Sequence, residues 1–596
     1  MNIVPVILLT AACFVAAILY LALNTKEKNR VMGLCAVIAV ATGLLSYGYA
    51  NASADTHIVL PVLRALLATC RMFGGVIDFQ AVSQTPLFQN RWIVALFWLG
   101  HFLAFFVTCS AAIELLGRRL LKSLRLRMLR RGALSIVYDA SRRNSALAGH
   151  AGKDRPVVLV APVEDAETQS VAEVLGGVLF ADAGALGAST DFLKRVGVNR
   201  QRAALDVYCL SADHGQNLRY AEALRDALER MDIAPDAASL FLLGVPEHRA
   251  FHLIAQPGRH GYGSVFACER HELLSRLAVS MLPPWTCVEY DGVGRAKGDF
   301  SITIVGFGRM GRAVLRYAVM NGQMEGSTFH ARVYDPRMEG LRCYMETCYG
   351  AMLDAYDIAL IAQEMDSRDF YDSLVQAPPS VVALCTGSRR INARLAMDIE
   401  NIFRTRPHCP HILQFGDDDI IIDGKEYHPD NLTVRDIDRR AMVLNHIYCG
   451  GATAEDDWRA CDPFSRASSR ASADFCPAFL HALGVERAGL ERCWPPSAEI
   501  LENLARTEHL RWCAFHLAMG YRPMRGDEFE SRCQRYRGGE KLRVSKDAES
   551  MTHACLVPWE ALDSLSEREN AVTGGHVDYK AMDVQNVLAL PEILKR

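Results

Sequence analysis

Gly306-Phe307-Gly308-Arg309-Met310-Gly311 is the stretch whose residue types and spacing specify a chemistry most directly. Glycines at its first, third and sixth positions suit phosphate binding. The first permits a tight turn, the second lets backbone approach a pyrophosphate, and the third lets a helix pack closely on a strand. The flanks agree: Phe300–Val305 reads as a strand, residues 312–319 as a helix, and residues 331–335 as a second strand ending in an acid that can bond a ribose. The expected cofactor-binding set is therefore Gly306, Phe307, Gly308, Arg309, Met310, Gly311 and Asp335, with NAD(H) or another nucleotide as a regulatory ligand. Asp335, Arg337 and Glu339 are polar, but no lysine or histidine dyad for hydride transfer accompanies them. No catalytic residue is assigned, and regulation is favoured over redox work.

A second group of residues lies near the C-terminus. Glu508, Arg511 and Trp512 fall within one helical turn and can pair or stack. Arg466 and Arg470, with Trp458, Trp512 and Trp559, make a candidate cage for an anionic or planar ligand. The same tryptophans equally suit the core of a small helical domain. His509 and His516 are seven apart and can share a face, but no third ligand accompanies them, so they read as structural and no metal site is assigned.

Elements must hold these residues in place. From residue 132 onward, short apolar runs alternate with helical stretches: 134–138, 156–160, 177–180, 205–210 and 240–243, then 300–305, 331–335, 356–361 and 381–385. Such alternation predicts parallel sheets covered by helices on both faces, a Rossmann-like pair of α/β domains. The first lacks a glycine turn, and Asp213 and Asn217 at its fourth-strand helix suit either a ligand or ordinary capping. The expected domains are 132–295, 296–430 and, mainly helical, 431–596.

Residues 1–131 differ in kind. Apolar runs at about 4–23, 31–50 and 92–116 are each long enough to cross a bilayer. The first lacks the basic leader and cleavage site of a signal peptide. Lys26, Lys28 and Arg30 follow it, and seven arginines and lysines from Arg118 to Arg131 follow the third run, which puts the N-terminus outside and the C-terminal bulk in the cytoplasm. Between the second and third runs lies a short amphipathic helix and then Phe73-Gly74-Gly75. That segment reads either as a re-entrant pore loop or as a helix lying on the outer surface, with the loop slightly favoured. It contains no TVGYG-like filter, so potassium selectivity is not claimed.

At 596 residues with a net charge of −3, the chain has several cores and no basic excess for nucleic acid. Its 18 cysteines are scattered without metal-ligand spacing and read as reduced, largely buried groups.

Two resemblances follow from these strings. The α/β units, with Gly306 to Gly311 in one and Asp213 to Asn217 in the other, resemble the TrkA N-terminal or regulator-of-potassium-conductance (RCK) family. The last part resembles the RyR domain of ryanodine receptors, through Asn445 to Gly450, Arg466 to Asp474, Glu508-His509-Leu510-Arg511-Trp512 and Pro558-Trp559. They imply a bacterial inner-membrane protein in which soluble modules sense a small nucleotide-like ligand and bias a membrane gate. Three spans cannot enclose a pore alone, so a homo-oligomer is expected in the lipid bilayer, a tetramer or a dimer of dimers. The alternatives are a membrane-anchored NAD(P)-dependent oxidoreductase and a non-conducting anchored sensor.

Overall fold

The computed structural model describes residues 25–52, 59–128, 133–142, 144, 145, 147, 155–181, 185–199, 204–256, 259–429, 437–492 and 494–595. The chain divides into two compact units, Met1–Arg127 and Met128–Arg596.

The first unit contains α1 (Thr25–Ala52), α2 (Val59–Phe73), the short α3 (Phe79–Ser83) and α4 (Arg91–Met128). The stretches Arg30–Ala52 and Arg91–Ala112 are long and apolar enough to span a bilayer. Expected spans at 31–50 and 92–116 fall on these helices, whereas the one at 4–23 lies outside the described residues. As far as Met128, the basic stretch expected to form a linker continues α4 without a break. Small residues bring the helices together: a Cβ on Gly43 would sit 2.7 Å from Thr69 and Met72, and one on Gly100 2.0 Å from Thr42. Leu34, Val37, Leu45 and Phe102 point outward, each more than 60% exposed.

The second unit opens with a six-stranded parallel sheet. Its elements are β1 (Leu134–Tyr138), β2 (Val157–Ala161), α5 (Ala166–Val174), β3 (Val178–Ala181), α6 (Thr190–Arg195), β4 (Leu205–Cys209), α7 (His214–Arg230), β5 (Ala238–Leu243), α8 (Glu247–Ala250), β6 (Ser264–Cys268) and α9 (Arg270–Met281). The order β3-β2-β1-β4-β5-β6 is the doubly wound Rossmann arrangement. β6 was not among the expected strands. β2, β4 and β5 are buried from end to end, as helices on both faces require.

A second sheet follows, built from β7 (Phe300–Val305), α10 (Arg309–Asn321), β8 (Phe329–Tyr334), α11 (Met338–Ala355), β9 (Asp357–Ile361), α12 (Arg368–Gln376), β10 (Val381–Leu384), α13 (Arg389–Phe403), β11 (His411–Phe415), β12 (Ile420–Ile422) and β13 (Lys425–Tyr427). Its order is β13-β12-β11-β10-β7-β8-β9, parallel except for the β11-β12-β13 edge. In both sheets the winding reverses between the first and fourth strands, β1/β4 and β7/β10, where a crevice opens at the strands' carboxyl ends.

The rest is mainly helical: α14 (Arg439–Cys449), α15 (Ala454–Ala460), α16 (Pro463–Ala482), α17 (Ala498–Ala518), α18 (Gly526–Arg537), α19 (Leu562–Thr573), α20 (Tyr579–Leu588) and α21 (Leu590–Leu594). A small sheet joins β14 (Arg522–Pro523), β15 (Lys546–Asp547) and β16 (Thr552–His553). This region shares a core with the second sheet: Phe300, Leu315 and Val319 belong to one apolar cluster with Phe475, Leu504 and Phe515. The first sheet has its own core around Val137, Tyr208 and Phe241.

Candidate functional site

At the β7/β10 crevice the three glycines do different work. Gly306 has φ +92°, and a Cβ there would lie 2.7 Å from the Cys385 carbonyl oxygen. At Gly311 a Cβ would lie 2.0 Å from the Gly306 carbonyl oxygen, so only glycine lets α10 approach β7 this closely. Gly308 faces open space, with nothing within 4 Å of the same position. It is the N-cap of α10, and no side chain caps that end, whereas Ser367 and Ser388 cap the helices that follow β9 and β10. Backbone N–H groups at a helix start with room in front of them suit an anion such as a phosphate.

The other predicted residues divide. Arg309 is exposed on the first turn of α10 and Met310 is half-buried. Phe307 is fully buried in the core, so its side chain cannot line a ligand. Asp335 directly follows β8, but it is only 3% exposed and turned inward. One oxygen accepts from the Phe307 N–H at 2.8 Å and the other from the Arg337 N–H at 2.8 Å. Asp335 therefore fixes the shape of the glycine turn, and a contact with ribose would require it to give up a backbone bond. Beside the turn, burial pushes the Cys385 thiol up, which keeps it neutral and unsuited to attack.

Sequence reading missed a polar clamp that both α/β units share. In the second, Asn392 Oδ1 accepts from the Thr386 N–H at 3.2 Å, and its amide donates to the Phe415 carbonyl at 2.9 Å. In the first, Asn217 Oδ1 accepts from the Ser211 N–H at 2.8 Å, and its amide donates to the Leu243 carbonyl at 2.8 Å. The repeated six-residue spacing of hydroxyl and asparagine after the fourth strand was the available signal. Asp213 caps α7 through the Gly215 and Gln216 N–H groups, so this pair is structural. The crevice of the first α/β sheet is filled: Ser211 Oγ donates to Asp139 at 2.6 Å, and Tyr138 stacks on Tyr220 with 4.0 Å between ring centres.

The C-terminal candidates do not form one cage. Arg466 and Arg470 lie with Trp458, their guanidinium carbons 5.1 and 5.4 Å from its ring. Glu508 and Arg511 form a separate buried, bidentate pair at 2.7 and 2.8 Å. Trp512 belongs to a third cluster, 3.9 Å from the His516 ring and 4.8 Å from the His553 ring, while Trp559 sits against His509. Glu508 and Arg511 do pair as their helical spacing allows, and Arg466 lies beside Arg470, but tertiary packing puts Trp512 and Trp559 apart from Trp458 and those arginines. His509 lies between two acceptors, the Val557 carbonyl at 2.8 Å and Asp583 at 3.2 Å. Burial opposes its charge most strongly, but Asp583 and the Cys513 sulfur together outweigh it, and its pKa is pushed up to about 11. His516, buried among rings, is pushed down to about 3.

In the unit Met1–Arg127, the turn after α2 lies against the side of the apolar helix α4 rather than beyond its end. Thr108 Oγ donates to the Phe73 carbonyl at 2.7 Å, and Gly75, with φ +76°, sits over the Phe105 ring. The chain then rises. Tyr47 OH accepts from the Asp78 N–H at 3.3 Å and lies 3.1 Å from His101 Nε2, while Phe79 packs near Phe97 and Trp98. Successive contacts at Thr108, Phe105, His101 and Phe97 trace a return path along α4. At 1.5 Å per residue, Thr108 is about 26 Å along α4 from Arg91 and His101 about 15 Å. Phe73, Gly74 and Gly75 thus form the bottom of a loop that α2 enters and that residues 76–78 leave towards α3.

No family model matches the chain, and neither does any curated protein. Neither the TrkA N-terminal nor the RyR resemblance is therefore matched by a model. Among solved structures the chain is similar to a point mutant of GsuK, at 14% identity over 66% of this chain and 90% of that one, with a TM-score of 0.28. GsuK bound to ADP gives 13% identity, the same coverage and 0.28, and the GsuK channel 12%, 65% and 77%, and 0.30. TM-scores this low carry no weight for fold or function.

Proposed function

We propose that the chain is a ligand-regulated membrane channel or channel-like effector, in which the α/β and RyR-like helical regions of the second unit bias a small helical membrane domain. The observation that carries this reading is the loop through Phe73, Gly74 and Gly75, which descends along α4 to Thr108 and returns. Helix followed by non-helical backbone at that depth is tolerated where it lines an aqueous cavity, and the turn then offers carbonyls to a permeant ion. In this reading residues 4–23 supply a third span, the N-terminus is outside a bacterial inner membrane, and residues 132–596 are cytoplasmic. The outward apolar side chains of α1 and α4 meet lipid and further copies, because one chain cannot enclose a pore.

The regulatory ligand is a nucleotide whose phosphates rest on the start of α10, in the space before Gly308. Gly306, Gly308, Arg309 and Gly311 form the cradle, with NAD(H) as one candidate. Asp335 acts by holding the turn. The second helical region supplies the coupling route, because α10 lies against α17 in a shared core. Reconstitution into liposomes tests the whole: ion flux that changes with added nucleotide is expected. Flux absent under every nucleotide and ion tried would remove the channel, and flux indifferent to nucleotide would remove the regulation.

A further inference from the structure

The first sheet and the helical region meet through charge. Arg276 pairs with Asp474 at 2.6 Å, Arg459 pairs with Asp236, and Glu247, at the start of α8, reaches across to two arginines of α16; Leu274 and Ala278 of α9 add apolar contact. Arg470 binds Asp438 of its own region bidentately at 2.7 Å on both arms, and also bonds Glu247. Arg466, 1% exposed, donates Nε to the carbonyls of Trp458 and Cys461 at 3.1 Å and stands 3.7 Å from Glu247 Oε1.

This junction is imperfectly satisfied. Arg466 Nη1, Trp458 Nε1 and Glu247 Oε1 are buried without a hydrogen-bond partner, and so is Nδ2 of Asn445, whose oxygen accepts from the Cys461 thiol. With Nε of Arg459 they make five such atoms around one junction, which is unusual, since buried polar groups are nearly always paired. Four of the five are donors. The charges explain what they await: with Glu247 in place, two arginines balance Glu247 and Asp438, and without it the pocket carries one net positive charge. Planar guanidinium groups backed by an indole N–H suit an oxyanion.

We propose that Glu247 is an internal stand-in for an oxyanion ligand, a phosphate or carboxylate group, which binds Arg466, Arg470 and Trp458 Nε1 and displaces Glu247 from them. Occupation of the pocket by ligand then frees the α8 edge of the first sheet from the helical region. The site is distinct from the α10 cradle, and its existence does not depend on conduction.

The test uses the full-length protein in detergent with inorganic phosphate as probe, read by calorimetric titration and by hydrogen exchange of residues 246–256. Glu247→Gln removes the competing charge, so phosphate should bind at least about tenfold more tightly than to the wild type. Adding Arg466→Met to that variant should abolish the gain, whereas Gly308→Val should leave it intact. In the wild type, saturating phosphate should speed exchange across 246–256. An unchanged affinity in Glu247→Gln, a gain that survives Arg466→Met or is lost with Gly308→Val, or exchange slowed by phosphate would each overturn the proposal. Thermal melting of each variant establishes that it is folded. If Arg466→Met fails to fold, Trp458→Phe, which removes the indole N–H and keeps an aromatic ring in its place, replaces it and should reduce the gain. A gain undiminished by Trp458→Phe overturns the proposal as well.

Discussion

The two α/β units share a strand order, a winding reversal between first and fourth strands, and the hydroxyl–asparagine clamp beside it, yet they treat the crevice in opposite ways. The first unit fills it with Asp139, Ser211 and the stacked rings of Tyr138 and Tyr220. The second leaves it open before Gly308. Topology therefore creates the crevice, and a handful of side chains decides whether it remains available to a ligand. The surroundings differ as well: the second sheet is fused to the helical region by a shared core, whereas the first has its own core and meets that region through ion pairs.

The sharpest way to break the comparison is Gly311→Val. A Cβ 2.0 Å from the Gly306 oxygen has no room, so the second unit should lose roughly 3 kcal/mol or more by chemical denaturation. Removal of the shared clamp should affect both units alike. Asn217→Ala and Asn392→Ala each strand buried backbone groups and should each cost about 2–3 kcal/mol, read from unfolding followed separately in each unit. A large asymmetry would mean that the clamp is not equivalent in the two sheets.

Gly308→Val tests openness directly. Its backbone, at φ −66° and ψ −160°, accepts a side chain without strain, and the space is empty. Stability should change by less than about 0.5 kcal/mol, while nucleotide affinity should fall at least tenfold, or about 1.4 kcal/mol, by titration. The smallest effect separates the two cores. Burial lowers the His516 pKa in the fold, so its contribution is fully present above the unfolded value of about 6.5 and is lost as pH falls towards about 3. The body formed by the second sheet and helical region should lose about 1 kcal/mol by about pH 5.8 through this group, and His516→Gln should flatten that limb. The first sheet, with its separate core, should not follow it.

What could be read from sequence was local. The glycine turn, its flanking strand and helix, and the acid after β8 are set by spacing within about 30 residues, and the structure places each where expected. The bond that turns Asp335 inward depends on how β7 and β8 align, which spacing does not disclose. The C-terminal tryptophans and arginines failed for the same reason: Trp458 and Trp512 are equally plausible cage walls in a string of letters, and packing sends them to different clusters. Phe73 and the glycines after it were legible as a turn. Their depth beside Thr108 was not, because it rests on a contact 35 residues away.

The shared core also constrains how the polypeptide emerges from the ribosome. The first sheet is complete in sequence by Cys268 and can close while synthesis continues. The second sheet ends at Tyr427, yet the cluster that covers it draws on side chains as far along as Leu594. With roughly 170 residues still to be added at about 5–20 residues per second, its apolar face stays bare for on the order of 8–35 s, a window in which a chaperone has something to hold.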